Sequence, residues 1–376
     1  MEFKVNSKEF ERLLTKIIPA VPSRTPMQIL ENFLIEIKDG QLTVFATDLE
    51  ISLKSSLNIV ADSNASFVVP AKLLYDVVRS LGETTLNIKV EEKGKLQLTT
   101  DSGEYSLSYL DSSDFPEIPS FPGDTVDQED LKEISINGEE LNTAFLYTSF
   151  AMSKEEMRPA MMGTLFEFIE EGLRFVATDG HRLVNMLNTN IKHEITEQYI
   201  IPERAISVLH KVLDEKDVKI YLSKSHVSFV LSDIELITRL IGQRYPDYKT
   251  VIPMENEFLL HVKTKDLHNA VKRMMLFSTS NTRRVKFSID GDNLEISAED
   301  LDIGASGKES IHCTYEGDPL TIGFNSAYVN DILSHIRAEE IILKLHSPTK
   351  AVIVEPKDNK DNLDLMMLLM PVRLNN

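Results

Sequence analysis

Along the chain, apolar residues recur with two periods. Phe10, Leu13, Leu14, Ile17 and Ile18 are spaced by three and four residues, which places them on one face of a helix over roughly 7–18. Leu267, Ala270, Val271, Met274 and Met275 repeat that spacing, predicting a helix over roughly 264–277. Shorter stripes, Leu74, Val77, Val78 and Leu81, and Val329, Ile332, Leu333 and Ile336, predict helices over roughly 71–81 and 326–336. Two more are placed over roughly 138–151 and 203–213. The intervening segments alternate, as in Leu173, Phe175 and Ala177, and are broken by Gly, Asn, Asp and Ser turns. That is the pattern of antiparallel strands with one buried face.

The elements come in three sets. An apolar residue, a polar step and an amphipathic run occur at Val5-Asn6-Ser7, Ile136-Asn137-Gly138 and Val262-Lys263-Thr264. A strand ending in an acidic turn brings Asp48, Asp179 and Asp300 into correspondence, and a strand running into the second helix does so for Pro70, Pro202 and Asn325. A closing strand reaches Leu110, Leu240 and Met370, each 130 residues from the last. Four landmarks in one order, three times over, identify an internal repeat. The expected architecture is α+β: three tandem domains, each with two helices packed on antiparallel sheets. Their expected boundaries are 1–123, 130–252 and 256–376, separated by the Pro-rich acidic stretch Phe115 to Asp130 and by Pro253 to Glu257. A length of 376 residues suits two or three cores better than one.

Charge changes this picture by where it lies. The chain carries 40 Lys+Arg against 59 Asp+Glu, a net charge of −19, which by itself argues against nucleic-acid binding. The six predicted helices hold 10 basic and 8 acidic residues, so the strands and loops carry the acid. Two readings stand at this point: a basic helical face opposite an acidic remainder, or simply Lys and Arg as good helix formers on solvated faces. No apolar run approaches the roughly 18 residues needed to span a bilayer. The charged N-terminus lacks the core of a secretory signal, and Cys313 is the only cysteine, so a reducing cytoplasm is the expected location.

Candidate chemistry is sparse. There is no Gly-rich phosphate loop, zinc-type Cys/His cluster or nucleophile elbow. His193-Glu194 begins a zincin-like motif without its second histidine, and Asp290-Gly291-Asp292 has the wrong spacing for a calcium loop. Thr178-Asp179-Gly180-His181-Arg182 gathers Asp, His and Arg in one turn, but it has no neighbouring nucleophile, and the other two repeats lack its His and Arg. The terminal Leu365 to Leu374 is too apolar for a solvated tail. Part of it is expected to be a buried closing strand; Met370 to Leu374 either leaves an apolar partner site exposed or packs on its own domain.

ATDGHRL at 177–183, YPDY at 245–248, DFPEIP at 114–119, GFNSAYV at 323–329 and MPVRL at 370–374 resemble, in order, the motifs of the bacterial beta sliding clamp family. The resemblance covers essentially the whole chain. It implies a head-to-tail homodimer closed into a ring of six domains, with twelve helices lining a hole that encircles duplex DNA without reading sequence. No cofactor or metal and no catalytic residue is implied. By resemblance the DNA-facing residues are Arg24, Lys72, Arg79, Lys154, Arg204, Lys211, Lys272 and Arg273. A pocket for short peptides of the replicative polymerase's catalytic subunit, the clamp loader, and other polymerases and repair proteins is implied between the second and third domains. Its residues would be Arg158, Met161, Gly163, Thr178, Gly180, His181, Arg182, Leu183, Pro246, Val251, Asn325, Tyr328, Leu368, Met370, Pro371, Val372, Arg373 and Leu374. The dimer seam would place Tyr105 and Leu107 of one copy against Leu276 and Phe277 of the other. Glu155 and Thr250 depart from the family's usual residues, and Asn375 and Asn376 follow its usual end. Two other readings compete: an acidic peptide-binding scaffold that never encloses DNA, and a hydrolase built on Asp179 and His181.

Overall fold

The computed structural model describes residues 1–91, 94–119, 121, 131–279, 283–359 and 362–374. The linker residues 120 and 122–130 and the terminal Asn375 and Asn376 lie outside the described residues.

The six expected helices form, four where the apolar spacing puts them and two where the repeat does: α1 Ser7–Ile17, α2 Ala71–Ser80, α3 Gly138–Thr148, α4 Glu203–Val212, α5 Thr264–Met275 and α6 Ser326–His335. In α1 the stripe Phe10, Leu13, Leu14 and Ile17 is buried, and the Asn6 side chain caps the helix by accepting the amide hydrogens of Lys8 and Glu9. The helix stops one residue short of expectation. Ile18 opens a 3-10 turn, Ile18–Ala20, because Pro19 has no N–H to continue the α ladder. Leu276 lies just past the end of α5 and is 77% exposed.

Among the described residues, four antiparallel sheets carry the helices, with five, nine, nine and four strands. The chain divides into two compact units, Met1–Asn142 with Arg204–Leu240, and Thr143–Glu203 with Ile241–Asn376. The division passes through the middle repeat because strands pair across the repeat borders. In the first unit, strand Ile51–Asn58 of the first repeat pairs with Ile234–Arg239 of the second, Ile51 opposite Thr238 and Leu53 opposite Leu236. In the second unit, Arg182–Asn188 pairs with Leu363–Leu369, Arg182 opposite Leu369 and Val184 opposite Met367. Each border thereby becomes the interior of a nine-stranded sheet, and two strands that would present unpaired backbone to solvent satisfy each other.

The ladders also correct the alignment of the closing strands. Counted from Val5, Ile136 and Val262 through their paired neighbours, the equivalent residues are Leu107, Thr238 and Leu369, facing Leu96, Val227 and Val352. Leu110 is not on the closing strand Glu104–Ser108. It belongs to a two-residue strand, Leu110–Asp111, which pairs with Ala65–Pro70 in the other sheet.

The acidic turn recurs in the first two repeats with the same hydrogen bonds. Thr47 Oγ1 donates to the Ile51 carbonyl at 2.7 Å and accepts the Leu49 amide, as Thr178 Oγ1 donates to the Arg182 carbonyl at 2.7 Å and accepts the Gly180 amide. The residue after each aspartate is left-handed, with φ of 75° at Leu49 and 86° at Gly180.

Candidate functional site: an apolar groove in the second unit

A cavity of about 600 Å³ opens on the second unit. Its walls include Met161, Thr178, Gly180, Arg182, Leu183, Pro246, Val251, Leu368 and Met370, all of which the sequence had put forward. Asp247, Tyr248, Pro253, Met254, Glu255, Lys350 and Ala351 complete it and were not foreseen. The groove is the open side of a buried cluster: Leu183, Tyr248, Ala351 and Leu368 belong both to its walls and to a core shared with Leu165, Val176, Ile200 and Tyr245. Side chains anchored in a core at one end are pre-positioned to receive a ligand at the other, and the volume is that of a typical small-ligand or short-segment site. Met254, 92% exposed, stands at its edge beside the Glu255–Lys350 ion pair of 3.0 Å.

One wall is fixed by a buried carboxylate. Glu167 is 4% exposed and accepts from the Tyr248 hydroxyl at 2.6 Å, Lys249 at 3.0 Å, Arg174 at 3.2 Å and Gln198 at 3.2 Å. Tyr248 begins the 3-10 turn Tyr248–Val251, so these bonds hold two groove residues in place. Burial raises the Glu167 pKa, but the bonds from Tyr248, Lys249 and Arg174 outweigh it and hold the group below its ordinary value. A folded-state pKa depressed in this way contributes stability above the unfolded value, and that contribution is lost as pH falls through the folded value. Glu167→Gln should therefore be less stable than the parent protein at pH 7, and the difference should disappear only as pH falls below the ordinary carboxylate range and through the depressed folded value. Denaturant titrations at pH 7 and across the acid range check this.

The GHR turn is differently employed than its sequence suggests. Asp179 Oδ1 accepts the amide hydrogens of His181 (2.9 Å) and Arg182 (3.0 Å), while its Oδ2 accepts from Arg182 Nε (3.1 Å). Arg182 Nη1 donates to Asp331 of α6 at 2.5 Å, and the guanidinium lies over Tyr328 (4.7 Å) and Phe150 (5.2 Å). Arg182 is thus a buried strut between its own turn and α6, with Nε and Nη1 already engaged, as well as a wall of the groove. His181 is exposed and stacks on Tyr328 at 5.6 Å. Arg158 is exposed at the rim, donating to the Asp179 carbonyl at 3.4 Å.

The remaining assigned residues do not line the groove. Asn325 caps α6 through the Ala327 amide. Gly163 is buried in a strand start, where a Cβ would stand 2.4 Å from the Ile201 carbonyl oxygen. Met370 N–H donates to the His181 carbonyl and Val372 N–H to that of Gly323, each at 2.8 Å, which pins the tail to its own unit. Leu374 folds over Gly323, and Pro371, Val372 and Arg373 follow that course away from the cavity. Only Met370 of the tail contributes a wall.

Of the cations assigned to DNA, Arg24, Lys72, Arg79, Lys154, Lys211, Lys272 and Arg273 are exposed. Arg273 is bonded to Glu309 through both Nε and Nη2. Arg204 is only partly exposed, donating to Asp48 Oδ2 at 2.7 Å and to the Pro19 carbonyl at 2.8 Å, and so ties the first repeat to the second inside the first unit. Among the described residues, no group of His, Cys, Asp and Glu is arranged to hold a metal ion. No described helix is long and apolar enough to cross a membrane.

Three family models match the chain: the DNA polymerase III beta subunit N-terminal domain over residues 1–119, central domain over 135–247 and C-terminal domain over 249–373. A beta sliding clamp of Chlamydia pneumoniae is 29% identical over 376 residues, covering 100% of this chain and 99% of the relative. One of Vibrio cholerae is 27% identical, with both chains fully covered. The crystal structure of the DNA polymerase III subunit beta from Pseudomonas aeruginosa superposes over 100% of both chains with a TM-score of 0.92 at 29% identity. A Bartonella birtlesii sliding clamp bound to griselimycin does so with a TM-score of 0.91, also at 29% identity. With its three domains matched in order and its fold superposed end to end, the chain belongs to the DNA polymerase III beta subunit family, the sliding clamps.

Proposed function

We propose that this sliding clamp acts as a head-to-tail homodimeric ring that encircles duplex DNA in the cytoplasm and tethers the replicative polymerase to it. The observation that carries the reading is the strand count. Both internal repeat borders lie within nine-stranded sheets, and the two remaining sheets, of five and four strands, make nine when joined across two copies. The exposed cations Lys72, Arg79, Lys211 and Lys272 on the helices would meet phosphates, whose contacts carry no base information. Topological enclosure removes the need for tight binding, which reconciles DNA association with a net charge of −19. The apolar groove would take the apolar anchors of short peptides from the polymerase catalytic subunit, the clamp loader and other polymerases and repair proteins. The clamp performs no chemistry in this reading: the Asp179 carboxylate is engaged by two backbone amides and Arg182, which leaves His181 without an activated partner.

Clamp loaded onto nicked circular DNA with loader and ATP should remain bound through gel filtration and be released when the DNA is linearised. Equal retention on both forms would refute enclosure and favour a peptide-binding scaffold.

A further inference from the structure

The bare strand edges can be given a register. At the first border Ile51 faces Thr238 and Lys54 faces Glu235; at the second Arg182 faces Leu369 and Asn185 faces Met366. Thr238 and Leu369 are equivalent positions, as are Ile51 and Arg182, three residues after Asp48 and Asp179, so both borders use one register. In the third repeat the hairpin is two residues longer: Glu299 faces Ser306 where Thr47 faces Ser52 and Thr178 faces Leu183. The third-repeat counterparts of Ile51, Leu53 and Lys54 are therefore Ala305, Gly307 and Lys308, on the unpaired edge of the four-stranded sheet. Those of Leu236, Thr238 and Glu235 in the first repeat are Tyr105, Leu107 and Glu104, on the unpaired edge of the five-stranded sheet.

We infer that two copies recognise each other in this one register, with Glu104 of one copy paired to Lys308 of the other, duplicating the Glu235–Lys54 ion pair of the first border. The inference rests on the ring reading and specifies which atoms set its seam. Three observations converge on it. Lys54 and Glu235 are ion-paired, and Glu235 also accepts from Ser228 at 2.8 Å; Glu104 accepts at 2.5 Å from Gln97, the residue equivalent to Ser228. The same register sets Tyr105 opposite Gly307 and Leu107 opposite Ala305, large residues facing small ones on one face of the sheet. Gly307 cannot be larger, since a Cβ there would lie 2.6 Å from the Phe277 ring, and this places Tyr105 beside Phe277. A slip of one residue would turn the side chains of one strand to the opposite face and set Glu104 against an uncharged residue, Gly307, or against Glu309.

In this seam Lys308 leaves or shares its present partner, Glu295, which it contacts at 2.5 Å. The pair is a rim feature that fixes register and rejects mismatched partners more than it adds affinity.

The test combines charge reversal with cross-linking of the full-length protein. Sedimentation of the parent protein first reports whether it dimerises; a monomer at all concentrations would overturn the ring reading itself. Given a dimer, Glu104→Lys and Lys308→Glu alone should each weaken association at least about tenfold, and the double reversal should restore it to within about threefold. Single variants that dimerise like the parent would overturn the charge pair and leave the ring standing. For register, Ser106→Cys with Ser306→Cys, opposite each other and both exposed, should give a covalent dimer on mild oxidation. Ser108→Cys with Ser306→Cys, two residues out of step, should cross-link far more slowly; the reverse order would overturn the register.

Discussion

Arg182→Ala is expected to lower the unfolding free energy of the second unit by about 3 kcal/mol, because it leaves Asp179 and Asp331 without their shared cation. Arg182 is 9% exposed, and its guanidinium carries four separate contacts, two carboxylates and two ring faces. Lysine in its place keeps the charge but not the planar fork, so Arg182→Lys should recover less than half of the loss. Removing Asp331 together with Arg182 should be milder than the sum of the single changes, since one orphaned carboxylate is then gone. Chemical denaturation of Arg182→Ala, Arg182→Lys, Asp331→Ala and the Arg182→Ala, Asp331→Ala double variant, followed by circular dichroism, checks the order. An Arg182→Ala protein as stable as the parent would mean that the strut contributes nothing and that the residue serves only the groove.

Truncation after Leu369 tests the groove. It removes the Met370 wall and the two backbone bonds that pin the tail, while leaving strand Leu363–Leu369 and its pairing with Arg182–Asn188 intact. Affinity for a polymerase-derived peptide should fall more than about a hundredfold, roughly 2.7 kcal/mol, as expected when an anchor-bearing wall of a desolvated pocket is lost. Sedimentation should be unchanged, because the truncation deletes none of the residues proposed for the seam, Glu104 to Leu107 and Ala305 to Lys308. Isothermal titration with the same peptide gives the readout, and undiminished affinity would remove the assignment.

The helices were legible in the sequence because their signal is local: four apolar residues such as Phe10, Leu13, Leu14 and Ile17 suffice to define a face. The threefold repeat was legible for the same reason, applied three times. Pairing across the borders was not. Nothing within Ile51–Asn58 says that its neighbour is Ile234–Arg239, nearly two hundred residues on, since ladder partners share only a hydrophobic face. The landmarks Leu110, Leu240 and Met370 stand three, two and one residues past the equivalent Leu107, Thr238 and Leu369, so the alignment slips by one residue at each repeat; Leu110 looks like the other strand ends, while the chain changes sheets around Tyr109.

Part of the groove was legible, most of it by resemblance and Met370 also from the apolar character of the tail. Met254 and Glu255 were read as linker because Pro253 to Glu257 has linker composition, and Lys350 and Ala351 lie in a strand connection with no periodicity. Gly163, Asn325 and Val372 are pocket residues by resemblance yet serve the frame: a close strand contact, a helix cap and a tail bridge. A motif marks residues that matter and does not separate those that touch a partner from those that shape the wall behind it.

Because ladders cross both repeat borders, the repeat is not the piece of this chain that stands alone. A gene cut at those borders would yield fragments whose freshly exposed edges, Ile234–Arg239 among them, have lost their neighbours. Such fragments would be expected to clump or to recruit each other, and a middle repeat expressed alone would carry two such edges. The module recurs three times, but its edge strands find their partners only where one module is stitched to the next.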